Sequence, residues 1–423
     1  MDLLNINYEK YKLKNGLEVI LHHNKNLPIV SVNIWYRVGS ANEITGKTGI
    51  AHLFEHMMFQ GSQNVAKEMH FRYIQESGGV LNGSTSFDRT NYYEKVPSNY
   101  LDLALWLESD RMGYLLPALT QEKLSNQIGV VSNERLERYD NQPYGLAWEI
   151  LVSNIYPEGH PYNWPTIGFM NDIKNYSLED VSSFFKKYYS PSNASLVVAG
   201  NFEIDKIKNK ISKYFEDIPS LKKRPAIKVP EVKIERNKLI EKKENVQLER
   251  IYLGWHTEKA YGIYDSSLDV LSDLLTGSKG SRLTKNLVYE KEIAQDVTAF
   301  QFSGKYDGHF MIIATAKPGI SLNNLKTEIF NELHKIEKEG IVEKELLKSK
   351  NGIKSSFVYS MQNCDTLSDQ LNHYNYYLGE PNSFNFDLQR YDGVTANSLV
   401  SVVKKYLSKP FVELQIKPSN IKN

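Results

Sequence analysis

Three side chains in the segment GIAHLFEHMMFQGS (residues 49–62) could do chemistry together: His52, Glu55 and His56. A helix advances about 100° per residue, so His52 and His56 would lie one turn and about 40° apart. Glu55 would fall about 60° to the other side of His52, which puts all three on one face of roughly 100°. Two imidazoles one turn apart can share one metal ion, and such nitrogen donors suit zinc. The carboxylate would stand beside the metal, not on it. A catalytic zinc keeps three protein ligands and one water, acidifies that water and polarises a carbonyl. A neighbouring carboxylate can then take the proton and pass it to a leaving amine. The chemistry implied is peptide hydrolysis, with Glu55 as general base activating a zinc-bound water. Composition alone would give roughly 0.02 such motifs in this chain. Two histidines and a glutamate on one face of an apolar helix also need partners if buried.

A third ligand must come from elsewhere. The stretch QIGVVSNERLERYDNQPYG (127–145) offers Glu134 and Glu137, and spacing alone does not choose between them. Other candidates carry less. His22 and His23 are adjacent on a strand and face opposite ways, so they cannot chelate one ion. His160 sits in a Pro-rich turn and reads as structural. Glu108 and Asp110 lie on a helix that could pack behind the motif; a bond to a zinc-ligating imidazole and a helix-surface ion pair are both open. Arg282 could bind substrate or form an ion pair at a helix start. The single cysteine, Cys364, cannot form an internal disulfide and reads as a small buried thiol. GSKGS (277–281) lacks the order and spacing of a phosphate loop.

The elements that must position the motif are legible. Asn15-Gly16 supplies a turn between alternating segments, so Tyr11 to Leu21 reads as a hairpin. IVSVNIWYRV (29–38) reads as a buried strand. Residues 48–59 read as a helix whose apolar part is Ile50, Leu53, Phe54 and Met57. A helix over 68–77 stops at Gly78-Gly79, and 82–96 returns to strand. Helices follow at 99–116, 120–139 and 178–188, then the strand SLVVAG at 195–200.

The two halves of the chain look related. SLEDVSSFFKKY (177–188) resembles ANSLVSVVKKY (396–406), with Lys186-Lys187 and Lys404-Lys405 offset by 218 residues. At nearly that offset the strand around Ile34 meets IYLGW (251–255), which argues for duplication. The same shift carries His52 and His56 onto Val270 and Leu274, so only the first half can hold this metal. Between the halves, Pro219, Pro225 and Pro230 stand among many Lys and Glu residues, a linker composition. The expected division is 1–220 for the zinc-binding domain, 221–245 for the linker and 246–423 for a homologous domain without metal ligands.

With 423 residues the chain exceeds one ordinary core. It is 41% hydrophobic and 24% charged, with 51 basic against 50 acidic residues. No basic stretch favours nucleic acid, and no apolar run is long enough for a membrane span. The N-terminus lacks the basic start and apolar core of a signal peptide. The expected location is cytoplasmic, or periplasmic if a leader has been removed.

His52-x-x-Glu55-His56 is the inverted zinc motif of the inverzincins. With GSANE (39–43), LESDRMG (107–113), VVSNERLER (130–138) and HPYNWPTIG (160–168), the chain resembles the pitrilysin/insulinase family from about Leu13 to Tyr406. The likeness is greatest to short subunits related to mitochondrial processing peptidase and its bacterial relatives. The resemblance implies Glu134 as third ligand to Zn2+. It implies an α+β fold of two homologous α/β domains, each an antiparallel sheet with packed helices, together forming one half of a clamshell. The strand with Asn82, Gly83, Ser84 and Thr85 would pair with an extended substrate, an unfolded peptide or presequence. Two positions depart from the family. A glutamate often found seven residues before the third ligand is Gln127 here. The arginine of a substrate-holding arginine-tyrosine pair is kept as Arg282, but the tyrosine position is Gln295. The resemblance thus implies a heterodimer with a homologous zinc-free subunit supplying that pair, or a homodimer in which Tyr289 or another residue substitutes. A catalytically silent assembly or peptide-binding subunit is the alternative.

Overall fold

The computed structural model describes residues 4, 6–26, 28–220 and 226–419. The chain forms two compact units that interleave along the sequence. The first holds Met1–Arg135, Trp164–Lys228 and Val358–Asn385; the second holds Leu136–Asn163, Val229–Phe357 and Phe386–Asn423. The units thus differ from contiguous stretches of 1–220 and 246–423, because each half of the sequence lends a helix to the other half's sheet. Within the expected linker, residues 221–225 lie outside the described residues, and Lys238–Glu244 is a strand. Its charged sequence, KLIEKKE, suits an exposed sheet edge.

The first unit is built on six strands: β1 (Glu9–Lys12), β2 (Glu18–His23), β3 (Ile29–Tyr36), β4 (Val80–Thr85), β5 (Thr90–Pro97) and β6 (Ala194–Gly200). They lie in the order β1-β2-β6-β3-β5-β4. Asn15-Gly16 makes the first turn, with Gly16 at φ +96°. The stretch 82–96, read as one return to strand, is a hairpin of β4 and β5. SFDR breaks it, where the Ser86 N–H closes on the Arg89 carbonyl at 2.8 Å. β3 is buried along nearly its whole length although Ser31 and Asn33 interrupt its apolar run. Those residues face the helix Cys364–Tyr377. Ser31 Oγ meets Ser368 Oγ, the Trp35 indole N–H donates to Asp369, and Asn372 donates to the Asn33 carbonyl. Cys364 lies in the same seam, its thiol donating to the Ala199 carbonyl.

The second unit has five strands: β7 (Lys238–Glu244), β8 (Arg250–Thr257), β9 (Ala294–Ser303), β10 (Gly308–Ala316) and β11 (Val412–Pro418), ordered β7-β11-β8-β10-β9. Numbered within its unit from β2, the first sheet runs 1-5-2-4-3, and the second sheet runs the same way. In both, first and last strands pair in parallel while the rest are antiparallel. The duplication seen in the KKY helices therefore has a counterpart in topology. The sheets are open and mixed, not antiparallel. First and last strands come from opposite ends of each repeat, so no hairpin forces them to run in opposite directions. In the second unit the helix Asp265–Thr276 follows β8 as the motif helix follows β3. It buries Leu268, Val270, Leu271, Leu274 and Leu275 in the core beside Trp255 and Phe310.

Candidate metal centre

The motif occupies the helix Ile50–Met57. Ile50, Leu53, Phe54 and Met57 enter the core, which leaves one polar stripe of His52, Glu55 and His56 half-buried. The two imidazole rings lie 4.8 Å apart between centroids. Glu134 reaches them from the helix Gln121–Arg135. Its Oε2 is 3.9 Å from His52 Nε2 and 3.3 Å from His56 Nε2. Tetrahedral zinc with bonds of about 2.0–2.1 Å holds its ligand atoms about 3.3 Å apart. The His56–Glu134 spacing matches such an ion and the His52–Glu134 spacing of 3.9 Å is wider, while the donor set of two imidazole nitrogens and one carboxylate oxygen suits zinc. These side chains keep 15, 24 and 17% of their surface (His52, His56, Glu134), enough for a substrate to reach a bound ion. Glu137 is left out of this group. It lies one turn on, in a widened π turn at Leu136–Asp140, and is exposed.

Glu55 stands beside the three donors and not among them. The Thr85 hydroxyl on β4 donates to its Oε2. Burial pushes the Glu55 carboxyl above its usual range, with the Glu134 charge in the same direction; Thr85, His56 and Arg89 pull it back. Its place beside the donor set, with the Thr85 hydroxyl holding one oxygen, suits it to accept a proton and pass it on.

Four residues expected at the substrate lie on β4, the edge strand of its sheet, but not all offer the same groups. In an antiparallel ladder, bonded and non-bonded pairs alternate. The Ser86–Arg89 bond makes Ser84–Asn91 a bonded pair, given the register. Gly83 and Thr85 therefore turn their main-chain groups to the free edge. Asn82 Oδ1 accepts from the Gly83 N–H at 2.9 Å. Ser84 is tied inward, its Oγ donating to Asn91 and its carbonyl accepting from Arg89. The corresponding edge of the second unit is obstructed at Ala299, where Thr276 Oγ1 accepts the N–H at 2.8 Å. Arg282 belongs to the second unit, where it pairs with Glu345 at 2.8 Å and donates to the Gly340 carbonyl. Gln295 is exposed on β9, and Tyr289 is half-exposed in the turn Thr284–Glu290. Gln127 is buried and donates to Asn126.

Glu108 and Asp110 are buried, so the helix-surface ion pair is not what forms. Glu108 pairs with Arg111, and Asp110 accepts from Ser62 and Asn64. A second group of potential donors, His70, Glu94 and Glu108, was not apparent in the sequence because three elements contribute it. Arg111 fills the role of its cation, reaching both Glu94 and Glu108. His160 is structural, with Nε2 on Asp307 at 3.0 Å and Nδ1 accepting from the Tyr162 N–H. His22 and His23 part as expected, one on the Asn7 carbonyl and the other against Phe202.

The chain matches the family model "Insulinase (Peptidase family M16)" over residues 18–163 and "Peptidase M16 inactive domain" over residues 175–353. It is 34% identical to "Zinc protease PqqE" of Helicobacter pylori, across 84% of this chain and 80% of that one. It is 25% identical to "Uncharacterized zinc protease YmxG" of Bacillus subtilis, across 97% and 98%. The crystal structure of a protease from Helicobacter pylori superposes with a TM-score of 0.89 at 31% identity, covering 98% of this chain and all of that one. Among the described residues, no helix is long and apolar enough to cross a membrane.

Proposed function

We propose that this chain, which belongs to the insulinase family (peptidase family M16), is a zinc-dependent endopeptidase acting on unfolded peptides or presequences. The observation that carries the reading is the convergence of His52 Nε2, His56 Nε2 and Glu134 Oε2, with Glu55 beside them and outside the ligand set. Zinc held by those three would polarise the scissile carbonyl and make water a usable nucleophile near neutral pH. Glu55 takes the proton from the attacking water and returns it to the departing amine. Thr85 orients that carboxylate through its hydroxyl. An extended peptide adds to the edge of β4 through the Gly83 carbonyl and the Thr85 main-chain groups, displacing Asn82 from the Gly83 N–H, and such main-chain pairing favours an unfolded segment over any particular side chain.

Arg282 is held by Glu345, and Gln295 stands where a tyrosine would complete the pair. This favours division of labour: a homologous zinc-free subunit supplies the arginine-tyrosine pair, or the chain works as a homodimer in which Tyr289 or another residue substitutes. It is also the observation that supports the second reading, a silent peptide-binding subunit. The test is cleavage of an unstructured peptide by zinc-loaded chain against Glu55→Gln. Removing the base should lower kcat by about 10²–10⁴-fold with zinc content unchanged. Equal activity of the two forms would sink the assignment of Glu55. Inactivity of both with zinc bound would shift support to the silent reading unless a homologous partner restores cleavage.

A further inference from the structure

The motif helix starts at a crowded point. Its N-cap, Gly49, has φ +85°, and a Cβ there would lie 2.4 Å from the Ile167 carbonyl. Gly168, at φ +80°, packs against Gly49 so closely that its own Cβ would lie 2.4 Å from the Gly49 Cα. No cap side chain comes from the helix itself. Instead Glu43, buried six residues upstream, uses both oxygens: Oε2 accepts from the Gly49 N–H at 2.9 Å and Oε1 from the Ala51 N–H at 2.8 Å. The residue before the helix is held from the other side. Asp172 Oδ2 accepts from the Thr48 N–H and hydroxyl, and the Tyr176 hydroxyl donates to the Thr48 carbonyl.

The same crossing segment meets the other ligand helix. Arg135, adjacent to Glu134 and buried, donates from Nη1 to the Gly168 carbonyl at 2.6 Å. One short stretch, residues 164–176, therefore bonds to the start of the helix bearing His52 and His56 and to the end of the helix bearing Glu134. A buried carboxyl group whose two oxygens each accept from a main-chain N–H leaves a helix little freedom to rotate about its axis. A rotation of 10–20° would already spoil ligand geometry.

We propose that Glu43 and Arg135 are positioning residues for the two ligand helices: Glu43 fixes the start of the helix bearing His52 and His56, and Arg135 ties the helix bearing Glu134 to residues 164–176, which also hold Thr48 just ahead of the motif helix. This rests on the zinc reading above. Neither residue is a ligand, and neither touches substrate. Zinc affinity and ligand geometry should therefore respond to their loss, with peptide KM little changed.

The test uses the full chain and Co2+ as a spectroscopic probe, with zinc affinity by chelator competition. Glu43→Leu and Arg135→Gln should each weaken zinc binding by about tenfold, the scale for residues supporting ligands from behind. They should alter the cobalt d–d bands and lower kcat at unchanged KM. Glu43→Gln keeps one acceptor oxygen and Arg135→Lys keeps a donor, so each should recover part of the loss. Native-like cobalt spectra and affinity in folded Glu43→Leu and Arg135→Gln would overturn the proposal; if Glu43→Leu fails to fold, Arg135→Gln with its lysine rescue decides. A wild-type chain that binds neither metal would overturn the zinc reading and this inference with it. Wild-type binding with unaffected variants would overturn this inference alone.

Discussion

Replacing Arg111 with methionine should destabilise the first unit by about 3–5 kcal/mol, the cost of leaving a buried charge without its partner. Arg111 is 1% exposed and its partners Glu94 and Glu108 are fully buried. Its Nη2 reaches both carboxyls, and its Nε lies 3.3 Å from Glu108. Its guanidinium also sits 4.1 Å from the Tyr92 ring centroid and 5.1 Å from that of Phe59. Burial and the neighbouring Glu108 charge raise the Glu94 carboxyl far above its usual range, while burial holds the His70 imidazole far below its own. Arg111 makes its shorter contact with Glu108, while burial drives Glu94 and His70 toward their neutral forms. Methionine preserves packing but strands the Glu108 charge. A double variant, Arg111→Met with Glu108→Leu, removes both charges and should recover most of the loss, since apolar replacements of a buried pair are often near neutral. The assay is a double-mutant cycle from urea unfolding midpoints. Tyr92 and Phe59 lie under Gly83, within 3.1–3.2 Å of where its Cβ would stand. The single variant should therefore also disturb peptide binding at β4. A loss below about 1 kcal/mol for the single variant, or a double variant as unstable as the two single losses added, would refute the assignment of charge.

Two more expectations can be checked directly. Glu134→Gln should reduce bound zinc measured by atomic absorption by at least about tenfold, whereas Glu137→Gln, on the exposed turn beyond, should bind like the wild type. In the second unit, burial pushes the Asp269 carboxyl up to about 7, the Asp265 charge adding to the shift and Tyr391 and Arg390 opposing it. A carboxyl with a raised folded pKa contributes stability fully below its unfolded value and loses it as pH rises through the folded one. Stability from this group should thus fall between about pH 4 and 7, by up to about 4 kcal/mol. Asp269→Asn, still able to accept from Tyr391 at this position, should flatten that dependence. Equal urea-midpoint losses from pH 5 to pH 8 in both forms would remove Asp269 as the cause.

What the sequence by itself determined is local. Helical periodicity put His52, Glu55 and His56 on one stripe because Ile50, Leu53, Phe54 and Met57 claim the other face for the core. The missing ligands of the second half were equally legible, because Val270 and Leu274 are apolar where histidines would be needed. The KKY helices and their offset anticipated two repeats, which the shared strand order bears out. The tertiary structure alone decided what depends on elements far apart in the chain. Glu134 and Glu137 are chemically alike and three residues apart, so only the path of their helix past the motif brings one carboxylate to the imidazoles. The helix Cys364–Tyr377 belongs with a sheet more than 150 residues upstream, because β3's polar face needs its serine, aspartate and asparagine partners. Arg282 was legible as a cation, but its ion pair with Glu345, 63 residues on at 2.8 Å, was not. The polar groups that brace the site, Glu43, Arg135 and Asp172, likewise have no periodicity to betray them: their partners are backbone groups, and backbone groups leave no mark in a sequence.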